Sequence, residues 1–240
     1  MTELFVAEEH SQLYDLWLER GDRNLSVCHI DFHCDMRGLL IDRTRGRACF
    51  VERQIPYVHR LDSGSYLSHA IMNGMVVQLR WVHDSHGGRE YDYLHCVKYE
   101  SDPSALPYRL PGKRTWASLD YAEQTFEEWG GPRPGEFIDI DWDAIASAEY
   151  DEQKIRYLMA GILGRNFNPE TIFLARSPGY CHADRGLFEE FVAGLEAKFA
   201  VRAVRLPAVT APPPVDSFFW SIYARLDKWV FKLMHRFGIH

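Results

Sequence analysis

Several features that would settle the class of this sequence at once are missing from it. There is no Cys-x-x-Cys pair, and the five cysteines (Cys28, Cys34, Cys49, Cys96 and Cys181) are odd in number and scattered. That argues against a disulfide framework and against a zinc-thiolate site, and makes a reducing cytoplasm the expected setting. The net charge is −7 and no block of lysine and arginine interrupts it, so nucleic acid is not an expected partner. No apolar run is long enough to span a bilayer. The stretch Met1-Thr2-Glu3-Leu4-Phe5 has neither the basic region nor the apolar core of a secretory signal, so a membrane is not an expected partner either. Internal repeats and low-complexity segments are absent too. What is there is 240 residues of ordinary globular composition, 46% apolar and 25% charged, enough for one α/β domain with a sizeable core.

The elements can be placed from periodicity and punctuation. Leu4 to Ala7 reads as a short buried strand; Ser11 is placed to cap a helix carrying Leu13, Leu16, Trp17 and Leu18, which Gly21 ends; Leu25 to Ile30 is a second strand. A β-α-β unit of this kind makes the strands parallel and puts their carboxyl ends on one edge, so His10 and the residues after Ile30 face one crevice. Residues 42–60 look like a loop feeding a strand or hairpin. Asp62-Ser63-Gly64-Ser65 is a turn and cap before a short helix at 66–72, and Met75 to Val82 is a strand. A strand near an edge is expected at 91–97, and surface loops with a short strand and helix inside from Ser101 to Gly135. Glu136 to Ile138 enters an acidic strand end; a helix from about 151 to 163, a strand at 171–175 and an amphipathic helix at 184–199 follow. This alternation predicts an α/β fold with a central, mainly parallel sheet flanked by helices.

Residues 1–210 form the expected domain, and Ala211-Pro212-Pro213-Pro214 is a stiff break. Beyond it, residues 211–240 carry an amphipathic helix with Phe218, Phe219, Trp220, Trp229 and Leu233 opposite Lys228, Lys232 and Arg236. It is expected to pack on the domain or to join two copies in a homo-oligomer; docking of a membrane surface or a peptide is the alternative.

The residues with chemistry gather at strand ends. Asp31, His33 and Asp35 alternate, so on a strand they would point to one face and repel one another unless a cation sits between them. A lone Asp-x-His-x-Asp is only suggestive, because acids at strand ends often cap the next helix. A second acidic strand end, Asp139-Ile140-Asp141, and His10 one β-α unit upstream turn the pattern into a constellation. Oxygen-rich ligation with imidazole suits Mn²⁺ or a similar divalent ion, and two adjacent ions would explain so many carboxylates. Asp141 and Asp143 replace Asp139 and Asp141 if that strand runs two residues longer; Phe137-Ile138 as the last buried pair favours the earlier set. His29, His83, His86, His95 and His182 have no evident partner, and Cys34 reads as packing.

The order strand, His10, helix, strand, Asp31-Phe32-His33-Cys34-Asp35 and later Asp139-Ile140-Asp141 resembles the arginase and ureohydrolase superfamily, with histone deacetylases more distant. Glu9-His10, His29 to Asp35, Asp62 to Ser65, Asp139 to Asp143 and Ala175 to Tyr180 more closely resemble a compact, largely uncharacterised arginase-like family. That family includes peptide arginases of ribosomal peptide natural-product (RiPP) biosynthesis, which modify a precursor peptide after translation by converting its arginine side chains to ornithine. The resemblance implies an arginase-like three-layer fold and a hydrolase with two Mn²⁺ ions. One ion would be held by His10, Asp31, Asp35 and Asp139, the other by Asp31, His33, Asp139 and Asp141. Asp35 would also bond the bridging hydroxide and help shuttle its proton. His69 matches the family's proton-shuttle histidine, with a core histidine as the alternative, and Ser63 and Ser65 match substrate-binding positions.

There are departures. Ala7-Glu8-Glu9-His10 replaces the Gly-Gly-Asp-His of arginases, no proline follows Asp143, and Arg37 stands where an arginase has an asparagine that reads the free amino acid's α-carboxylate. These losses bear on free arginine more than on the metals, so an arginine-containing peptide is the expected substrate, with urea released. The alternatives are another binuclear-metal C–N hydrolase, an amidase or deacetylase, and a non-catalytic peptide-binding protein on the same fold.

Overall fold

Short runs of β-branched and aromatic residues bounded by polar turns make strands buried on both faces. In the computed structural model, which describes residues 2–37, 39–51, 61–84, 96–99, 114–178, 181 and 186–208, seven strands form one sheet, with inner strands of this kind at its centre. In chain order the elements are β1 (Glu3–Ala7), α1 (Gln12–Arg20), β2 (Leu25–Ile30), β3 (Leu39–Asp42), β4 (Arg47–Val51), α2 (Tyr66–Met72), β5 (Val76–His83) and β6 (Cys96–Tyr99). Then come β7 (Arg114–Ser118), β8 (Asp120–Thr125), β9 (Glu136–Asp141), α3 (Asp143–Ala146), α4 (Glu152–Gly164), β10 (Thr171–Ala175), α5 (Leu187–Phe199) and β11 (Ala203–Arg205). The main sheet runs β11-β1-β10-β9-β2-β5-β8, and every pairing in it is parallel.

Alternation along each strand builds two cores, one on each face. Ile138, Ile140, Ile172, Leu174, Cys28 and Ile30 pack with Leu158 and Ile162 of α4 and Phe188 and Phe191 of α5. Phe137, Phe173, Val27 and Leu79 pack with Leu13 and Trp17 of α1 and Leu67 and Ile71 of α2. The fold is therefore α/β, a central parallel sheet between helical layers. A smaller sheet, β6-β3-β4-β7, is built on the β3–β4 hairpin and rests against α2.

From β2 the chain steps outward to β5 and β8; from β9 it steps the other way, to β10 and β11. The reversal falls between β2 and β9, and crevices at such switch points, beyond the carboxyl ends of the strands, are where open α/β sheets bind ligands.

Three expectations need correcting. Of the stretch from Ser101 to Gly135, residues 101–113 lie outside the described residues; in residues 114–135 there are two strands where one short strand was expected, and β8 completes the main sheet. Its sequence, DYAEQT, buries mainly Tyr121, as an edge strand paired on one side does, and so shows weak periodicity. Neither Ser11 nor Ser65 caps its helix through the side chain. At α1, Gln12 Oε1 instead accepts the backbone N–H groups of Glu8 and Glu9 at 3.2 and 3.0 Å, fixing the turn that carries His10. The expected C-terminal helix, residues 91–95 of the expected edge strand, and His86, His95 and His182 lie outside the described residues.

Candidate metal centre

Ala7, Ala175 and Asp141 lie side by side at the ends of β1, β10 and β9. The loops beyond are stitched together, Arg176 N–H to the Ala7 carbonyl at 3.0 Å and Ser177 N–H to the Glu8 carbonyl at 3.0 Å. His10 drops into this edge and is fully buried, stacked on Phe173 at 6.2 Å and tilted against Tyr66 at 4.7 Å. Its Nδ1 faces three carboxylate oxygens: Asp35 Oδ2 at 3.0 Å, Asp141 Oδ2 at 3.1 Å and Asp31 Oδ2 at 3.2 Å. Ligands held at right angles about 2.1 Å from one small divalent ion stand about 3 Å apart, the spacing seen here.

The carboxylates converge by a route other than strand alternation. β2 stops at Ile30; Asp31 N–H donates to the Val82 carbonyl at 3.1 Å, and the residues after it form a loop. Asp31 Oδ1 accepts the His33 N–H at 2.7 Å, Trp81 Nε1 grips the Asp31 carbonyl at 2.9 Å, and Asp35 has a left-handed backbone with φ of 49°. That reversal returns the Asp35 carboxylate toward His10. The expected single strand face is thus replaced by a tight loop with the same result.

A second group lies beside the first. His33 Nδ1 is 3.0 Å from Asp143 Oδ2 and 3.8 Å from Asp31 Oδ1. Asp143 is buried, accepts the Phe32 N–H and donates its own N–H to Asp141 Oδ1 at 3.2 Å. Ser177, itself at φ of 47°, donates its hydroxyl to Asp141 Oδ2 at 2.7 Å. Among the described residues three groups of side chains are close enough to hold an ion: His10, Asp31, Asp35 and Asp141; Asp31, His33 and Asp143; and, deeper, His10, His29 and Asp139. The His33 side chain, 37% exposed, marks the open side.

β9 runs through to Asp141 and all six of its residues are buried, so the acidic pair at this edge is Asp141 and Asp143. Asp139 lies two residues deeper, roughly 6–7 Å along the strand, under His10. It meets His10 Nε2 at 2.7 Å and His29 Nδ1 at 2.9 Å, and accepts the Tyr66 hydroxyl.

The electrostatics describe a site with excess negative charge. Burial, then the charges of Asp35, Asp143 and Asp141, pushes Asp31 well above the usual carboxylate range; burial and Asp141 raise Asp143. Burial works against charge on His10, yet Asp139 and Asp141 outweigh it and lift His10 well above 6.5. Burial would also raise Asp35 and Asp139, but His10 overrides it and holds both below their ordinary value. His10 Nδ1, His29 Nε2 and Asp31 Oδ2 are buried without a hydrogen-bond partner. Orphaned atoms gathered around clustered carboxylates fit a divalent cation, since buried polar atoms are usually paired.

The other expected site residues are in none of these ligand groups. The His69 ring meets Tyr14 edge-on at 6.3 Å, between α2 and α1. Ser65 is buried and bonds Asp62 Oδ1 at 3.1 Å; Ser63 donates to Glu9 Oε2 at 3.2 Å at the surface. Arg37 braces the same turn, pairing with Asp62 at 2.7 Å and lying so close to Gly64 that a Cβ there would meet its Nη2 at 2.5 Å.

Tyr66, His29 and Ser177 were given no role from sequence. His29 alone left a readable signal, two residues before Asp31 and so on one strand face with Val27. No family model and no curated protein matches the chain. Among solved structures it is similar to a hypothetical agmatinase from Burkholderia thailandensis, at 16% identity and a TM-score of 0.41. The alignment covers 81% of this chain and 57% of that one, so the chain spans little more than half the length of that protein.

Proposed function

We propose that this chain is a binuclear-metal hydrolase of guanidinium C–N bonds, acting on arginine side chains in a peptide to give ornithine and urea. The observation that carries the reading is His10 Nδ1 at 3.0–3.2 Å from three carboxylates, with Asp31 shared by an adjoining His33–Asp143 group. His10, Asp31, Asp35 and Asp141 would hold one ion, and Asp31, His33 and Asp143 the other; the oxygen-rich donor set favours manganese. Bound divalent ions supply Lewis acidity and a water whose pKa is lowered toward neutrality.

The chain's own residues then have defined tasks. Asp35, the carboxylate carried on a reversing loop, takes the water proton on its oxygen and returns it to the departing amine nitrogen. Water adds to the guanidinium carbon, the bond from that carbon to the side-chain nitrogen breaks, and urea and a protonated amine are the products. Ser177 keeps Asp141 oriented through its 2.7 Å hydrogen bond, and Trp81 fixes the Asp31 backbone. Entry is from the half-exposed His33 side.

A peptide is favoured over free arginine because Arg37, at the position where arginases read the α-carboxylate, is buried and committed to Asp62.

Manganese-loaded protein incubated with arginine-containing peptides should release urea while each peptide loses the mass of one CH2N2 unit. Release from free arginine alone would overturn the peptide assignment, and turnover of acetyl-lysine peptides without urea would select an amidase or deacetylase. Asp31→Ala should weaken manganese binding by more than about 100-fold, beyond what loss of an outer residue costs. Uptake of less than one manganese per chain, unchanged in that variant, would remove the metal centre itself.

A further inference from the structure

Asp139 lies behind His10 and, with His10 and His29, forms the deeper of the three ligand groups, outside the two that carry the proposed chemistry. It is fully buried, it lies in register with His29 on β2 and Phe173 on β10, and its two oxygens serve three partners. Oδ1 meets His10 Nε2 at 2.7 Å; Oδ2 meets His29 Nδ1 at 2.9 Å and accepts the Tyr66 hydroxyl. The other ring nitrogens of both imidazoles, His10 Nδ1 and His29 Nε2, are orphaned and turned toward Asp31 Oδ2, at 3.2 and 3.4 Å.

We infer that Asp139, held by Tyr66 and His29, is a positioning residue that locks His10 in the form with its proton on Nε2 and its Nδ1 lone pair offered to the ion. The inference rests on the metal-binding part of the proposed function. A carboxylate only accepts hydrogen bonds, so the nitrogen facing Asp139 carries a proton, and with Asp31, Asp35 and Asp141 taken up by an ion the opposite nitrogen would be bare to join them. Imidazole ligands held from behind by a carboxylate bind metal more tightly, and losing that carboxylate costs about 10–100-fold in affinity. An asparagine there can present N–H groups to His10 Nε2, which forces the proton onto Nδ1, the nitrogen the ion needs.

Tyr66 supports this from the first turn of α2. Its buried hydroxyl lies 3.1 Å from His10 Nε2 and 3.4 Å from His29 Nδ1. It donates to Asp139 Oδ2, which keeps that carboxylate oriented.

The full chain, stripped with a chelator, is titrated with Mn²⁺ by calorimetry as wild type, Asp139→Asn and Tyr66→Phe, with urea unfolding of each metal-free protein alongside. The expected result is Mn²⁺ affinity lower by about 10–100-fold in Asp139→Asn and about threefold to tenfold in Tyr66→Phe. In Tyr66→Phe the loss should exceed anything the metal-free unfolding midpoint accounts for, a split that a purely structural role would not produce. Should Asp139→Asn fail to fold, Tyr66→Phe decides. Variants that bind Mn²⁺ within twofold of wild type overturn the inference and leave the metal centre standing; a wild type that takes up no Mn²⁺ overturns both.

Discussion

β9 carries buried carboxylates at both of its ends, and the two ends are built differently. At its first residue, Glu136 is answered by a guanidinium: Arg80 Nε donates to Oε1 at 3.1 Å and Nη2 pairs with Oε2, while the remaining Arg80 donors reach Gln124 at 3.0 Å and the Gly131 carbonyl at 3.1 Å. At its far end Asp139 and Asp141 join Asp31, Asp35 and Asp143, the opposing groups are imidazoles, and buried atoms are left over. The first end is a closed structural pair. The second is a set of charges whose balance calls for a cation from outside, which is what separates a site from a strut in the same strand.

The largest expected effect tests the strut. Arg80→Ala leaves Glu136 buried without its counter-charge and should cost about 3–5 kcal/mol in urea unfolding, by the same amount with and without Mn²⁺. A cost that depends on Mn²⁺ would break the distinction between the two ends.

The pH dependence sharpens it. Asp31, Asp143 and His10 all hold protons more tightly folded than unfolded, so the stability tied to those protons is present at lower pH and is lost as pH rises through the folded values. Asp35 and Asp139 work in the opposite sense, and their contribution is already complete above the ordinary carboxylate range. Above about pH 6.5, the ordinary value of His10, the metal-free protein should therefore lose stability as pH rises, by about 1.4 kcal/mol per pH unit for each proton's difference. Saturating Mn²⁺ should flatten or reverse the slope, because ions compete with those protons. Parallel slopes in urea unfolding, with and without the ion, would count against a cation site.

The smallest effect has the more diagnostic sign. Asp143→Asn should stabilise the metal-free protein by about 1 kcal/mol, since it removes one of the crowded charges, while reducing the stabilisation that Mn²⁺ confers. Destabilisation in both conditions would make Asp143 an ordinary structural acid.

Much of the architecture was legible before any coordinates. The apolar runs at 25–30 and 171–175, the Gly21 helix stop and the alternation of elements specify parallel strands whose carboxyl ends share an edge, and β1, β2, β5, β9 and β10 lie close to where periodicity puts them. β8 was not legible, because an edge strand that buries little has little pattern to show.

The candidate site divides in the same way. The convergence of His10, Asp31, His33 and Asp35 on one crevice follows from residue types and chain order. Which aspartate of β9 faces His33 does not, because Asp139, Asp141 and Asp143 repeat every two residues and strand alternation treats alternate positions alike. Depth along the strand is set by its hydrogen-bond register with β2 and β10, which aligns Asp139 with His29 and Asp141 with Ala175. The sequence by itself determined an acidic, imidazole-bearing edge on a parallel sheet. Only the tertiary structure decided which acids stand in the crevice and which one stands behind His10, because register is a contact between strands that no single strand encodes.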